Sequence, residues 1–530
     1  MISAKQTESQ GQLRATLMSS ALVSALLWLA LLLALISLPA VQHFWPSALY
    51  QWQLEEQQIF GRVLRQQQWT ANVQQDPWLG LVEDQPADQS LVLLLVDQGQ
   101  NAFTGHALNW FAASQLGPAS KPEQLMLVQM QRQGQWLGMP QGLRAEHYLA
   151  AEAPNFASQL HSHWRQEQAR QAEAQRIESR QLLGLNQQLA QMNPDQQGYA
   201  ELLARFESLR QQIFQLRVPQ AWLELQGADG RLHALPLNEI QYWQQPNALR
   251  PMQQLAEFAR QWQRFVFSWP SLGHTQGGIW PALVGTVAMT LLMTIMVMPL
   301  GVLAGIYLHE YAGGAWRRLL QLVVYNLAGI PAIVYGVFGL GLFVYLLGAQ
   351  LDSWWFADQL PRATLGTPGW LWVSLTLALL TLPVVIVNTA EGLARIPLAQ
   401  REACYALGLT KSETLLHLIL PLARPAMLTG LILAVARAAG EVAPVMLVGV
   451  VRSTSQLPVD AQFPFVHLDR KLMHLAYHIY DLGFQSANIE AGRPLVFASA
   501  LVLIVIVLLL NLTAIRLRHR LREAFRQQEM

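Results

Sequence analysis

Glu402-Ala-Cys-Tyr-Ala-Leu-Gly408-Leu-Thr-Lys-Ser-Glu-Thr-Leu-Leu-His-Leu-Ile-Leu420-Pro421 lies between two apolar runs, each long enough to cross a membrane. It is itself too polar to do so, because a span needs about 20 mostly apolar residues. Its residue types describe a helix, a turn and a second helix. Ala403 is small enough for close helix packing. Gly408 supplies the turn, since glycine reaches positive φ at no steric cost. Pro421, which cannot donate a backbone hydrogen bond, is expected to end the second helix and start the return to the membrane.

Composition widens that reading to the whole chain. Of 530 residues 52% are apolar and only 13% are charged, against about 25% charged in an average soluble domain. The net charge of +1 carries no polybasic footprint outside the extreme C-terminus, so nothing points to nucleic acid. Cys404 is the single cysteine, which excludes an intramolecular disulfide and any cysteine-based metal cluster. Eighteen tryptophans suit a protein with anchors at the bilayer interface.

Apolar runs predict six spans, at 20–41 and at about 281–307, 319–347, 369–388, 425–450 and 494–515. The first is too long and Leu-rich for the core of a signal peptide and reads as a retained anchor. Six spans put both termini on one side. With residues 1–19 and 518–530 in the cytoplasm, the cytoplasmic pieces carry thirteen Lys and Arg and the short outer loops five. The positive-inside bias therefore favours cytoplasmic termini and places the loop 391–424 in the cytoplasm.

Residues 42–275 form a Gln-rich polar block between the first two spans, on the periplasmic side by this orientation. Ser90–Asp97 reads as a buried strand, and Ala221–Leu235 as a hairpin around Gly-Ala-Asp-Gly. Residues 155–193 and 198–217 look helical, separated by Asn193-Pro194-Asp195, and 251–266 looks like a helix leading into the membrane. The expected arrangement is a helical hairpin on a small sheet, an α+β insert. His161 and His163 are two apart and would not share a helix face. The block reads as a folded domain that contacts a partner or stiffens an assembly. His467, His474 and His478 are spaced to line one helix face, with a solvated outer-loop face preferred over a metal site.

Inside the predicted fifth span stands Arg437-Ala-Ala-Gly-Glu441-Val-Ala-Pro444. A charge at the bilayer centre costs roughly 2.5–3.5 kcal/mol on insertion scales, so such residues face a bundle interior or a water-filled path. Four apart, Arg437 and Glu441 can pair on one face. The pair reads either as an ion pair that sets helix register or as an anion site, for which a planar guanidinium is suited. Gly329 and Pro331 fall within the predicted third span, as a kink or a candidate hinge. No catalytic motif stands out, and Gly408-Leu-Thr-Lys411-Ser412 lacks the glycines of a nucleotide-binding loop.

With these residues in place, two resemblances follow. The 402–421 stretch resembles the ATPase-docking "EAA" loop of ABC importer membrane subunits, with Glu402, Ala403, Gly408, Leu420 and Pro421 in register and Cys404 where a second alanine is usual. Arg437-Ala-x-Gly-Glu441-x-Ala-Pro444 is similar to the signature of the PstA family of phosphate importer permeases. So are Ile306-Tyr307-Leu-His-Glu310-Tyr311-Ala312 and Asn326-Leu-Ala-Gly-Ile-Pro331-Ala-Ile-Val-Tyr335-Gly336. The resemblance covers about 280–517 and not the 42–275 block.

It implies an all-α, type I-like, six-span permease with a periplasmic α+β insert, in a bacterial inner membrane. Arg437 and Glu441 would line the transport pathway. It implies a PstC-type second permease, a PstB-type ATPase dimer and a PstS-type periplasmic phosphate-binding protein. No cofactor would be bound directly, with ATP and Mg on the partner ATPase. Alternatives are a permease for another oxyanion (molybdate or sulfate), or a phosphate-responsive sensor or scaffold built on the insert. A phosphate importer that also reports supply to a kinase combines these readings.

Overall fold

The computed structural model describes residues 2–54, 57–70, 90–101, 105–131, 134–192, 198–227, 230–270, 277–357, 364–454, 456–460, 465–485 and 489–528. It divides into a membrane unit (1–44, 262–270 and 277–530) and an inserted unit (45–261 and 271–276).

In chain order, α1 (Ile2–Phe44) is the first span and belongs to the membrane unit. The inserted unit begins with strands β1 (Tyr50–Leu54), β2 (Gln57–Thr70), β3 (Ser90–Asn101) and β4 (Gly105–Ala112), an antiparallel four-stranded meander. A six-stranded sheet follows, from β5 (Met126–Met130), β6 (Gly134–Arg144), β7 (Tyr148–Ala150), β8 (Trp222–Gln226), β9 (Leu232–Pro236) and β10 (Ile240–Gln244). Its order is β10-β5-β6-β8-β9, with β7 also on β6. Helices α2 (Phe156–Ile177), α3 (Leu183–Gln191) and α4 (Tyr199–Arg217) sit between β7 and β8 in the chain, and α5 (Pro251–Phe267) begins in the inserted unit and ends in the membrane unit.

Apolar burial explains how α2 docks on the larger sheet. Phe156 and Leu160 enter a core with Leu143, Leu223, Leu225 and Ile240, while Trp164 Nε1 donates to the Ile240 carbonyl at 2.9 Å. Ala174, Ile177 and Ile213 join α2 to α4 as the expected helical hairpin. The expected strand at 90–97 is β3, and the expected hairpin at 221–235 is β8–β9, whose tip at 228–229 lies outside the described residues, as does Asn193-Pro194-Asp195. The sheet content exceeds the small sheet read from the sequence, so "all-α" applies to the membrane unit alone. Strands such as β2 (QQIFGRVLRQQQWT) alternate poorly and hide from a periodicity argument.

The membrane unit continues with α6 (Trp280–Ile306), α7 (Gly314–Gly329), α8 (Ala332–Phe338), α9 (Ala349–Trp355), α10 (Trp370–Ala394), α11 (Leu398–Ala406), α12 (Lys411–Thr414), α13 (Leu420–Gly440), α14 (Ala443–Val448), α15 (Leu475–Tyr480) and α16 (Ile489–Gln528). Among the described residues six helical runs are long and apolar enough to cross a membrane: Met18–Phe44, Trp280–Tyr311, Ala332–Trp355, Trp370–Ala394, Lys411–Gly440 and Gly492–Arg520. The core is built on α10, whose Trp372, Val373, Leu377 and Val385 pack with Met289, Met293 and Val297 of α6 and Ala434 and Ala438 of α13. Close approach of α6 to α10 requires a glycine, since a Cβ on Gly301 would lie 2.6 Å from Val385 Cγ1. Leu291, Ile295, Leu300 and Leu303 leave the outward face of α6 apolar and exposed, as a lipid-facing surface demands.

Four expectations are corrected. The stretch 319–347 is not one span: α7 ends at Gly329, and Pro331 is the extended N-cap of α8 (φ −58°, ψ 138°). The residue preceding a proline is disfavoured in helix, and Ile330 is extended (φ −69°, ψ 131°), so Gly329 and Pro331 mark a break ahead of the third span. Pro421 does not end a helix. The run Lys411–Gly440 passes through it, and the wider π turn at Leu415–Ile419 lies directly ahead of the proline. The fifth span ends at Gly440, with Glu441 an extended C-cap (φ −77°, ψ 126°), so the Arg437/Glu441 pair lies at a helix end and not mid-helix. The three histidines do not line one face: His474 is fully buried, His467 Nε2 lies 3.1 Å from Asp460 Oδ1, and only His478 lies within α15.

Candidate transport pathway and docking element

Residue chemistry at the end of α13 sets the first site. Arg437, in the last turn of α13, places Nε 3.3 Å from Glu441 Oε1, so the pairing expected from the spacing is formed. The two side chains keep 37% and 23% of their surface open. An exposed pair of this kind contributes about 0–1 kcal/mol to stability, too little to account for placing two charges at the end of an apolar helix.

A second stretch converges on this one from a hundred residues away. Gly336 on α8 lies so close to α14 that a Cβ there would sit 2.8 Å from Pro444 Cα. The neighbouring Tyr335, buried in the core, donates its hydroxyl to the Leu327 carbonyl at 2.6 Å and lies within the electrostatic reach of Arg437. That hydrogen bond bridges the break at Ile330-Pro331, linking α7 to α8. The segments Asn326–Gly336 and Arg437–Pro444 are therefore one structural locus. Tyr335 carried no role in the sequence reading, where it was one letter of a motif; the α8–α14 packing brings its stretch beside the segment that ends at Pro444.

His474 lies behind the same helix end. It is fully buried beside the Ala439 backbone, and neither ring nitrogen has a partner at hydrogen-bonding geometry. Desolvation pushes its pKa down to about 4, only partly offset by the Ala439 backbone, so the imidazole is neutral at physiological pH.

The candidate docking element is built from α11 and the start of the fifth span. Gly408 has φ +85° and ends α11 by accepting a left-handed backbone that side chains resist. Thr410 then caps α12 through a capping box with Glu413. Glu402 and Ala403 are exposed on α11, Leu420 is half-buried, and Pro421 lies inside the continuing helix.

Arg401, the neighbour of Glu402, points the other way. It is buried, with Nη1 2.5 Å from Glu310 Oε1 and Nη2 donating to the Leu393 carbonyl at 2.8 Å. Glu310 also meets His309 Nδ1 at 2.9 Å. Lys411 donates to the Glu310 carbonyl and lies 4.5 Å from the centre of the Tyr311 ring. The helix end after α6, the end of α10 and both halves of the candidate docking element are thus joined through Arg401 and Glu310, the carboxylate meeting Arg401 and the Glu310 carbonyl meeting Lys411. Spacing could not reveal this joint, since its halves are 91 positions apart. Among the described residues no group of three or more His, Cys, Asp or Glu could hold a metal ion.

Six apolar helical runs long enough to cross a membrane, together with the family comparisons that follow, make this chain a membrane permease. Residues 297–527 match the family of binding-protein-dependent transport system inner membrane components. The phosphate transport system permease protein PstA of Mycobacterium leprae is 37% identical over 238 residues, covering 44% of this chain and 69% of that protein. PstA 1 of Mycobacterium tuberculosis (strain CDC 1551 / Oshkosh) is 34% identical over 244 residues, covering 46% of this chain and 71% of that protein. Among solved structures, a chain of the inward-facing MetNI methionine ABC transporter is 16% identical, with a TM-score of 0.32, over 46% of this chain and 94% of that one. The chain belongs to the PstA family of phosphate transport system permeases. It is a multi-pass inner-membrane transporter subunit and not itself an enzyme. The family match leaves the inserted unit outside.

Proposed function

We propose that this permease forms half of the translocation pathway of an ATP-driven phosphate importer and that Arg437 and Glu441 contact the ion. The observation that carries the reading is the partly open Arg437–Glu441 pair, 3.3 Å apart at the end of α13, in the segment that continues to Pro444, where Gly336 packs. Phosphate at neutral pH carries acceptor oxygens and at least one hydroxyl. Arg437 attracts the charge through a planar fork. Glu441 accepts from the phosphate hydroxyl, or holds Arg437 between transport events. Sulfate lacks that hydroxyl and would leave a carboxylate unpaired, a difference worth strong discrimination in a site built to hydrogen-bond.

On this reading α11 docks on a PstB-type ATPase, which binds ATP and Mg. A PstC-type permease completes the pathway, and a PstS-type periplasmic protein delivers phosphate. The termini and the loop 391–424 face the cytoplasm, as the charge bias supports, and residues 42–275 face the periplasm. Gly329 and Pro331 are the hinge candidates, at the break bridged by Tyr335. The insert, with its own cores, contacts a further partner or stiffens the complex. The test is competition uptake: excess sulfate or molybdate should leave labelled phosphate uptake unchanged, and equal competition by either would assign the pathway to another oxyanion.

A further inference from the structure

A crevice of about 480 Å³ opens among α10, α11, α13 and α16. Its polar wall is cationic, formed by Arg395 just past α10 and by Arg518 and His519 on α16, and no acidic side chain is among the residues lining it. Among the described residues Arg518 Nη1 reaches a hydroxyl, Thr429 Oγ1 at 3.3 Å, and no carboxylate, and the Arg395 side chain makes no ion pair or hydrogen bond. Two guanidiniums gathered without a carboxylate repel each other and call for an anion. The other wall is apolar, with Leu422, Pro425 and Ala426 of α13.

Height in the membrane follows from the helices. The fourth span ends at Ala394, one residue before Arg395, and the sixth gives way to Arg516, Arg518 and Arg520 at its end. The crevice therefore sits where apolar spans meet the headgroup layer. A cationic rim above an apolar wall matches an amphiphile with a phosphoryl head better than a free ion.

We propose that this crevice binds a phosphoryl anion, supplied by the headgroup of an anionic phospholipid. Arg395 and Arg518 grip the phosphate oxygens, His519 contributes a ring N–H, and the glycerol and upper acyl chain lie on Leu422, Pro425 and Ala426. Pro397 and Gln400 of α11's start line the same crevice, so the bound lipid props the base of the docking element. The site is distinct from the Arg437–Glu441 locus, and its test does not depend on what is transported.

Native mass spectrometry of the full chain, released from nanodiscs of equal parts phosphatidylglycerol and phosphatidylcholine, reads the retained lipid. Wild type should retain phosphatidylglycerol with about tenfold or greater preference, and the Arg395→Gln/Arg518→Gln double variant should fall towards equality. Arg395→Gln alone should give a partial fall with an unchanged unfolding temperature, which separates loss of binding from loss of fold. In a parallel arm, radiolabelled inorganic phosphate is offered to the chain in phosphatidylcholine only. Phosphate bound by wild type and lost in the variants, without a lipid preference, would overturn the lipid source and assign the crevice to free phosphate. Equal retention by wild type and variants in both arms would overturn the site.

Discussion

Arg401 Nη1 stands 2.5 Å from Glu310 Oε1, with the two side chains only 10% and 7% exposed. This contact ties α11, the proposed docking helix, to the end of the second span, so force applied at Glu402 by a docked ATPase would have a route into α6 as well as along the continuous helix Lys411–Gly440. Removing one partner of a buried ion pair costs about 3–5 kcal/mol, whereas replacing both by apolar groups is often neutral. Arg401→Ala should therefore lower the unfolding temperature in detergent, and Arg401→Leu/Glu310→Leu should restore most of it. Uptake should stay low in both. Full uptake in the double variant would make the pair structural only.

At the other locus the balance is reversed. Arg437→Ala and Glu441→Ala remove a partly exposed pair and should change stability by less than about 1 kcal/mol, while uptake falls by at least about tenfold. Arg437→Lys keeps the charge and loses the bidentate fork, so it should recover only part of the loss. A stability loss parallel to the uptake loss would point to a register role instead.

Gly408 tests the docking turn. Nothing lies within 4 Å of where its Cβ would be, so Gly408→Ala meets no steric neighbour and suffers only from φ +85°. That conformation costs a non-glycine residue about 1–2 kcal/mol. Weaker co-purification of an ATPase with Gly408→Ala, and near-normal recovery with Gly408→Asn, is the expected pattern; identical recovery by all three would show that the turn does not shape the docking surface.

Acid should destabilise the protein through His474. Its folded pKa is depressed to about 4 from 6.5, so between those values the unfolded chain binds the extra proton and stability falls as pH drops. The full effect is about 3 kcal/mol, complete near pH 4. Unfolding temperature followed from pH 7 to 4 should show this limb in wild type and lose it in His474→Leu. An unchanged limb in the variant would place the acid sensitivity elsewhere.

How far the chain could be read in advance varied with the range of the interaction. The spans were legible because twenty apolar residues in a row need no partner to be recognised, and the Arg437–Glu441 pairing because four residues are one helix turn. The break at Pro331 was hidden by apolar residues on both sides, which hydropathy averages into one span. The π turn ahead of Pro421 depends on how the helix accommodates a missing N–H, which composition does not carry. Glu310 with Arg401, Tyr335 with Arg437 and the Arg395–Arg518 crevice are long-range meetings, set only when α6, α8, α10, α13 and α16 pack.

The most direct test of phosphate transport through this permease is uptake of radiolabelled phosphate in a strain that lacks the chain. High-affinity uptake should disappear, return with the wild-type chain, and fail to return with an Arg437→Ala variant that inserts at normal levels. Undiminished uptake in the strain without the chain, or full restoration by Arg437→Ala, would contradict the account.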